Sequence, residues 1–185
     1  MGLRARGNQR RGGRREERQT FGVRGNAVKY RMRERLVSIG DDFWIEDDRG
    51  NRAFKVDGKA MRVRNTLHFE DPQGRRLASI QERVARVRDT MEIEGPSGST
   101  IATVKKAMVT PLRERYSVSV PGGDDLDVQG NIVDHEYQIS ARGKKVAEVS
   151  KKWFRVRDTY GVEVAPDHDD VLMLAITVAI DSISH

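Results

Sequence analysis

"DDVLMLAITVAIDS", residues 169–182, departs from the pattern of everything before it, and its reading decides the fold. Leu172, Met173, Leu174, Ala175 and Ile176 follow one another without a polar interruption, so a helix here has no face to offer water. Asp169 or Asp170 can cap its N-terminus by accepting from the free backbone N–H groups of the first turn. A helix that is apolar all round must be buried on every side. Three surroundings do that: a membrane, the middle of a large core, or the inside of a closed sheet. The apolar run Val171 to Ile180 covers ten residues, about half of the roughly 20 needed to cross a bilayer. The choice then depends on what the rest of the chain forms.

The rest is a repeat. "AFKVDGKAMRVRNT" (53–66), "LASIQERVARVRDT" (77–90) and "IATVKKAMVTPLRE" (101–114) align at an offset of 24, and "VAEVSKKWFRVRDT" (146–159) follows after about two more periods. Ile80, Val104 and Val149 fall in one column, and Ala78, Ala102 and Ala147 in another. Short alternating runs separate the copies ("TLHFED", "TMEIEG", "YSVSV", "TYGVEV"), each ending in a turn cluster such as "DPQG", "GPSG" or "PGGD". Alternation at period two, bounded by Gly, Pro and Asp, is the signature of half-buried strands. Each 24-residue unit is thus two strands and two connections, a β-meander. With "DFWIED", "LDVQGNIVD" and "EYQIS" added, eleven or twelve strands are expected.

An eight-stranded barrel is filled by its own side chains, so eleven or twelve strands need a plug, and a can of strands around one helix is workable. The expected fold is all-β with one helix: about twelve antiparallel strands closed into a barrel around a hydrophobic helix at about 169–183. In domain terms, residues 1–28 are a disordered Arg/Gly-rich basic arm and residues 29–185 the barrel domain. The arm, "MGLRARGNQRRGGRREERQTFGVRGN" at its core, lacks the large apolar side chains needed to offset its ordering entropy.

The strand pairs at 24-residue spacing, the segment "KVAEVSKKWFRVRDTYGVEV" and the terminal "DDVLMLAITVAID" together resemble the LURP-one-related family, over roughly residues 29–183. That family is structurally related to the tubby proteins and the phospholipid scramblases. The resemblance implies a twelve-stranded, tubby-like barrel around a hydrophobic C-terminal helix. Tubby relatives bind phosphoinositide head groups and scramblase relatives act at membranes, but no residue motif for either activity maps onto this chain.

Composition narrows the chemistry. There are no cysteines, which excludes disulfides, thiolate metal sites and cysteine nucleophiles. No Walker loop, GxSxG or HExxH is present, so no catalytic residue is assigned. His68, His135, His168 and His185 are scattered, and no cofactor or metal is called for. "DHDD" at 167–170 reads as a helix-cap cluster rather than a cation site. Trp44, Trp153 and Phe154 read as packing residues. The chain reads as a soluble, cytoplasmic protein, with peripheral attachment to a membrane as the variant that lipid binding would add.

Charge is the more informative signal. The net charge is +6, yet residues 1–35 hold twelve Arg and Lys against Glu16, Glu17 and Glu34, so the remaining chain is slightly negative. Within that remainder "RVRNT" (62–66) and two copies of "RVRDT" (86–90 and 155–159) recur. If Asn65, Asp89 and Asp158 reverse the chain, alternate connections of the meander gather Arg62, Arg64, Arg86, Arg88, Arg155 and Arg157 at one mouth, with Arg113 and Arg115 beside them. The other reading continues each strand through "RVR"; both turn the arginines outward. Asp47, Asp48, Asp71, Asp124, Asp125 and Asp167 fall at the opposite turns. A basic rim of this kind suits anionic lipid head groups or other phosphorylated ligands. The alternative is a nucleic-acid-associated protein that holds the phosphate backbone through Arg10, Arg11, Arg14 and Arg15 of the arm. Repetition by duplication, with the arginines only keeping a turn solvated, accounts for the same letters without a ligand.

Overall fold

The computed structural model describes residues 27–33, 42–58, 66–82, 89–107, 114–154 and 158–184. Twelve strands run in chain order: β1 Val28–Arg33, β2 Phe43–Asp47, β3 Arg52–Asp57, β4 Thr66–Glu70, β5 Arg76–Glu82, β6 Thr90–Glu94, β7 Thr100–Lys106, β8 Glu114–Ser119, β9 Leu126–Asn131, β10 Glu136–Ala141, β11 Lys144–Ser150 and β12 Thr159–Val164. Each pairs antiparallel with its neighbours in sequence, and β1 pairs with β12, closing the barrel. Among the described residues one α-helix, α1, spans Asp170–Ser184.

The period of 24 is visible in the turns. Gly50, Gly74, Gly98 and Gly122 all adopt a left-handed backbone, which only glycine takes without a Cβ penalty. Each donates its N–H, or passes the chain on to a neighbour that does, across a tight turn, as in Gly50 N to Asp47 O at 3.0 Å and Gly74 N to Asp71 O at 3.0 Å. The register shifts by one residue beside the β2–β3, β4–β5 and β6–β7 turns, adding twist where the sheet must curve.

The interior is built from the repeat columns. Ala78, Ala102 and Ala147, and Ile80, Val104 and Val149, are all buried, with the small residues leaving room for a rod inside the wall. That rod is α1, whose residues Met173 through Asp181 are buried without a break. Asp169 accepts from Leu172 N at 3.1 Å and so caps it. The helix begins at the mouth formed by the glycine turns and ends at the mouth where β9 passes into β10.

Two features of the wall go beyond simple alternation. All six residues of β12 are buried, because α1 covers its inner face and the segment after β11 covers its outer one. That segment is a single 3-10 turn, Lys151–Trp153, followed by Phe154. A Cβ at Gly161 would stand 2.6 Å from Trp153 Cε3 and 2.8 Å from Phe154 Cε2, so both rings lie against the backbone of β12 at its glycine.

Candidate ligand cleft on the outer wall

The barrel has a weak seam. β1 pairs with β12 through all six residues from Val28 to Arg33. With β2 it pairs only at Tyr30–Asp47 and Arg31–Glu46. Beyond those two pairs the strands part, and a cleft of about 550 Å³ opens between Met32 and Arg33 on one side and Phe43 and Trp44 on the other. Arg31, Arg52, Asp42, Glu46, Asp158 and Thr159 complete its lining.

Strand alternation explains which side chains face outward. On β1, Tyr30 and Met32 turn into the core, while Lys29, Arg31 and Arg33 face out. On β2, Phe43 and Ile45 are buried and Trp44 and Glu46 are not. The outward cations settle on aromatic rings: Lys29 Nζ lies 5.0 Å from the Trp153 ring centroid, Arg31 Cζ 4.7 Å from that of Phe154, and Arg52 Cζ 4.6 Å from that of Trp44. A guanidinium on a ring face is attracted by the ring quadrupole and keeps its N–H donors in the plane of the fork, where an oxyanion can meet them.

The cleft's charges are partly matched. Arg31 bridges Glu46 at 3.3 Å, and Asp42 bridges Lys55 at 3.0 Å. The contact with Asp42 comes first among the causes that raise the Lys55 ammonium above its ordinary pKa. Among the described residues no carboxylate pairs with Arg33 or Arg52, and no cation pairs with Asp158. Beside the cleft, Glu163 is buried against Lys29 at 3.6 Å.

The interior holds a second polar cluster. Tyr160 donates to Asp181 Oδ2 at 2.5 Å, His135 Nε2 lies 3.3 Å from Asp181 Oδ1, and His135 stacks on Tyr160 with centroids 4.2 Å apart. Tyr137 lies beside it, its phenol pushed well up by burial first and by the Asp181 carboxylate second. His135 and Asp181 are only 2% exposed, so this His–Asp–Tyr set meets no solute and serves to tie α1 to the wall.

Most of the arginines singled out from the sequence are not among the described residues. Arg62, Arg64, Arg86, Arg88, Arg155 and Arg157, with Arg113, lie outside the described residues, as do Arg10, Arg11, Arg14 and Arg15 of the arm. Arg115 is exposed on β8. The strand ends bracketing 59–65, 83–88, 108–113 and 155–157 lie at one mouth. Asp89 and Asp158 have φ of 65° and 59°, the left-handed backbone of a chain-reversing residue. The final two letters of the third copy, Asp158 and Thr159, line the cleft.

At the opposite mouth the aspartates do structural work. Asp47 Oδ1 accepts from Arg49 N and Asn51 N, and Asp71 Oδ1 from Gln73 N and Arg75 N. Arg75 and Arg142 bridge Asp71 and Asp124, so that mouth is mixed in charge rather than uniformly acidic. His168 belongs to the exposed turn before α1, and no group of three metal-ligating side chains occurs among the described residues. Trp44, Trp153 and Phe154 do pack, as their composition suggested, but on the outside of the wall and under cations. No described helix is long and apolar enough to cross a membrane.

Sequence reasoning did not find the cleft. Its signal was the basic alternation of "VKYRMR" (28–33), which places three cations on one outward face.

Comparison with known proteins agrees with this architecture. The chain is 27% identical to the uncharacterized protein YxjI of Bacillus subtilis (strain 168) over 156 residues, covering 84% of this chain and 93% of that one. The X-ray structure of the Arabidopsis thaliana protein AT5G01750 superposes with a TM-score of 0.66 at 20% identity, covering 86% of this chain and 92% of that one. A family model for LURP-one-related proteins matches residues 28–181, and with the closed barrel and its enclosed helix in place the chain belongs to the LURP-one-related family.

Proposed function

We propose that the protein is a non-enzymatic binding module that takes a phosphorylated or otherwise anionic ligand, such as an anionic phospholipid head group, on its arginine-bearing side. One observation carries this reading: the barrel parts between β1 and β2, and Arg33 and Arg52 face the resulting cleft with no carboxylate partner among the described residues. Arginine is suited to the task because its planar fork meets two oxygens of a phosphate at once. The third copy of the pentapeptide ends at the cleft, which puts Arg155 and Arg157 one to three residues from it along the chain. Arg62, Arg64, Arg86 and Arg88 extend the same basic side in this reading. The arm supplies a second one, because its eight arginines against two glutamates within residues 1–28 suffice for salt-sensitive binding to nucleic acid.

Two full-length variants separate them. Arg33→Gln/Arg52→Gln weakens capture by vesicles containing anionic phospholipid and leaves nucleic-acid binding intact if the cleft is the site. Arg10→Gln/Arg11→Gln/Arg14→Gln/Arg15→Gln has the reverse effect if the arm is. Vesicle and inorganic-phosphate binding that is equal in the parent and the cleft variant refutes the cleft reading.

A further inference from the structure

The cleft is charge-balanced, and that bears on what enters it. Three arginines line it, and so do three carboxylates, Asp42, Glu46 and Asp158. Two of the carboxylates are spent on bridges, Glu46 to Arg31 and Asp42 to Lys55. Among the described residues, what faces the ligand is therefore two cations, Arg33 and Arg52, and one anion, Asp158. Arg33 sits opposite Thr159 at the last rung of the β1–β12 ladder, and Asp158 follows one residue beyond it. The pair does not close into a salt bridge. A polyanion entering here meets an unneutralised carboxylate beside its arginines, and a like charge at that position selects against it.

We infer that the cleft is a site for a zwitterionic phosphoester: Arg33 and Arg52 hold the phosphate, and Asp158 holds an ammonium group a few ångströms away on the same molecule. Trp44 serves the site by supporting the Arg52 guanidinium, whose Cζ lies 4.6 Å from its ring centroid. The inference rests on the binding-module reading above and adds the second charge of the ligand. The turn itself requires only a residue that tolerates a left-handed backbone at position 158, where φ is 59°. Asparagine does so as readily as aspartate, so Asp158→Asn removes the charge and keeps the turn.

The test is calorimetric titration of the full chain with O-phosphoethanolamine, inorganic phosphate and ethanolamine in turn. O-phosphoethanolamine is expected to bind about two- to fivefold more tightly than phosphate, the scale of one solvent-exposed ion pair. Asp158→Asn abolishes that preference while phosphate binding persists or tightens, and Arg33→Gln/Arg52→Gln weakens both ligands. Phosphate binding as tightly as the zwitterion to the parent overturns the inference and leaves the anion-binding reading standing. Binding of neither overturns both. Flotation with phosphatidylethanolamine against phosphatidylglycerol vesicles then identifies the source: preference for the former supports a lipid head group, and binding of O-phosphoethanolamine without vesicle capture supports a free phosphoester.

Discussion

The Tyr160 hydroxyl on β12 donates to the Asp181 carboxylate on α1 at 2.5 Å, inside the barrel and out of reach of solvent. A buried carboxylate is tolerated best where a donor meets it; here the phenol donates to Oδ2, while the His135 ring lies 3.3 Å from Oδ1. Tyr30 does the same for Asp170 at the other end of α1, at 2.8 Å. Tyr116 joins Ser184 at 2.9 Å. The rod is thus held by apolar packing along its length and by tyrosines near both ends.

Removing the central donor tests that arrangement. Tyr160→Phe keeps the ring stack on His135 and strips one donor from a buried carboxylate, a loss of about 1–3 kcal/mol. Urea unfolding should show a lowered midpoint with an unchanged slope. A midpoint within error of the parent would mean that the contact contributes nothing to holding α1.

The plug itself is tested from both sides of the helix–wall contact. Leu174 is wholly buried on α1, so Leu174→Ala leaves a cavity and costs about 2–5 kcal/mol. Ala147 is wholly buried on β11, where Ala147→Leu overfills the wall and costs about 1–3 kcal/mol. Thermal unfolding followed by circular dichroism reads both, and a midpoint equal to the parent's in either variant would mean that its side chain is not packed between helix and wall.

Much of this was legible beforehand because each part rests on local pattern. The helix follows from an apolar run with no polar face, the strands from alternation, and the turns from the clusters "DPQG", "GPSG" and "PGGD" between them. The cleft was not legible, since Arg31, Arg33, Trp44 and Arg52 are ordinary outward positions of three strands. Only closure of β1 on β12 and the parting of β1 from β2 bring them to one place. Glu163 and Asp181 look solvated by type, and each is buried only because a distant residue, Lys29 or Tyr160, supplies its partner. The covering of β12 by Trp153 and Phe154 depends on Gly161, whose role appears only when the rings are in position.

That role makes a third prediction. Gly161→Ala places a Cβ where the Trp153 and Phe154 rings now lie, so both must lift from β12, and Lys29 and Arg31 lose their ring partners with them. The expected result is a red-shifted tryptophan emission as Trp153 meets water, with a stability loss of about 1–3 kcal/mol from overpacking. Unchanged emission together with unchanged stability would show that the aromatic cover is not seated on the strand as described.

Alkaline pH probes the buried phenols. Tyr137 is held protonated well above the ordinary tyrosine value by burial and then by the Asp181 carboxylate, and Tyr30 by burial and then by its hydrogen bond to Asp170. In the unfolded chain both ionise near pH 10. Above about pH 10 the unfolded state therefore binds fewer protons than the native one, and the stability of the fold must fall as pH rises. Below that pH these groups contribute no slope. Lys55 and Lys106, whose pKa values are raised by hydrogen bonds to Asp42 and Glu114, act in the same direction over the same window. Tyr137→Phe isolates one phenol: urea midpoints from pH 8 to 11 should decline less steeply than in the parent from about pH 10 upward. Identical slopes in parent and variant would mean that Tyr137 ionises as freely in the fold as out of it, and that water reaches the interior beside α1.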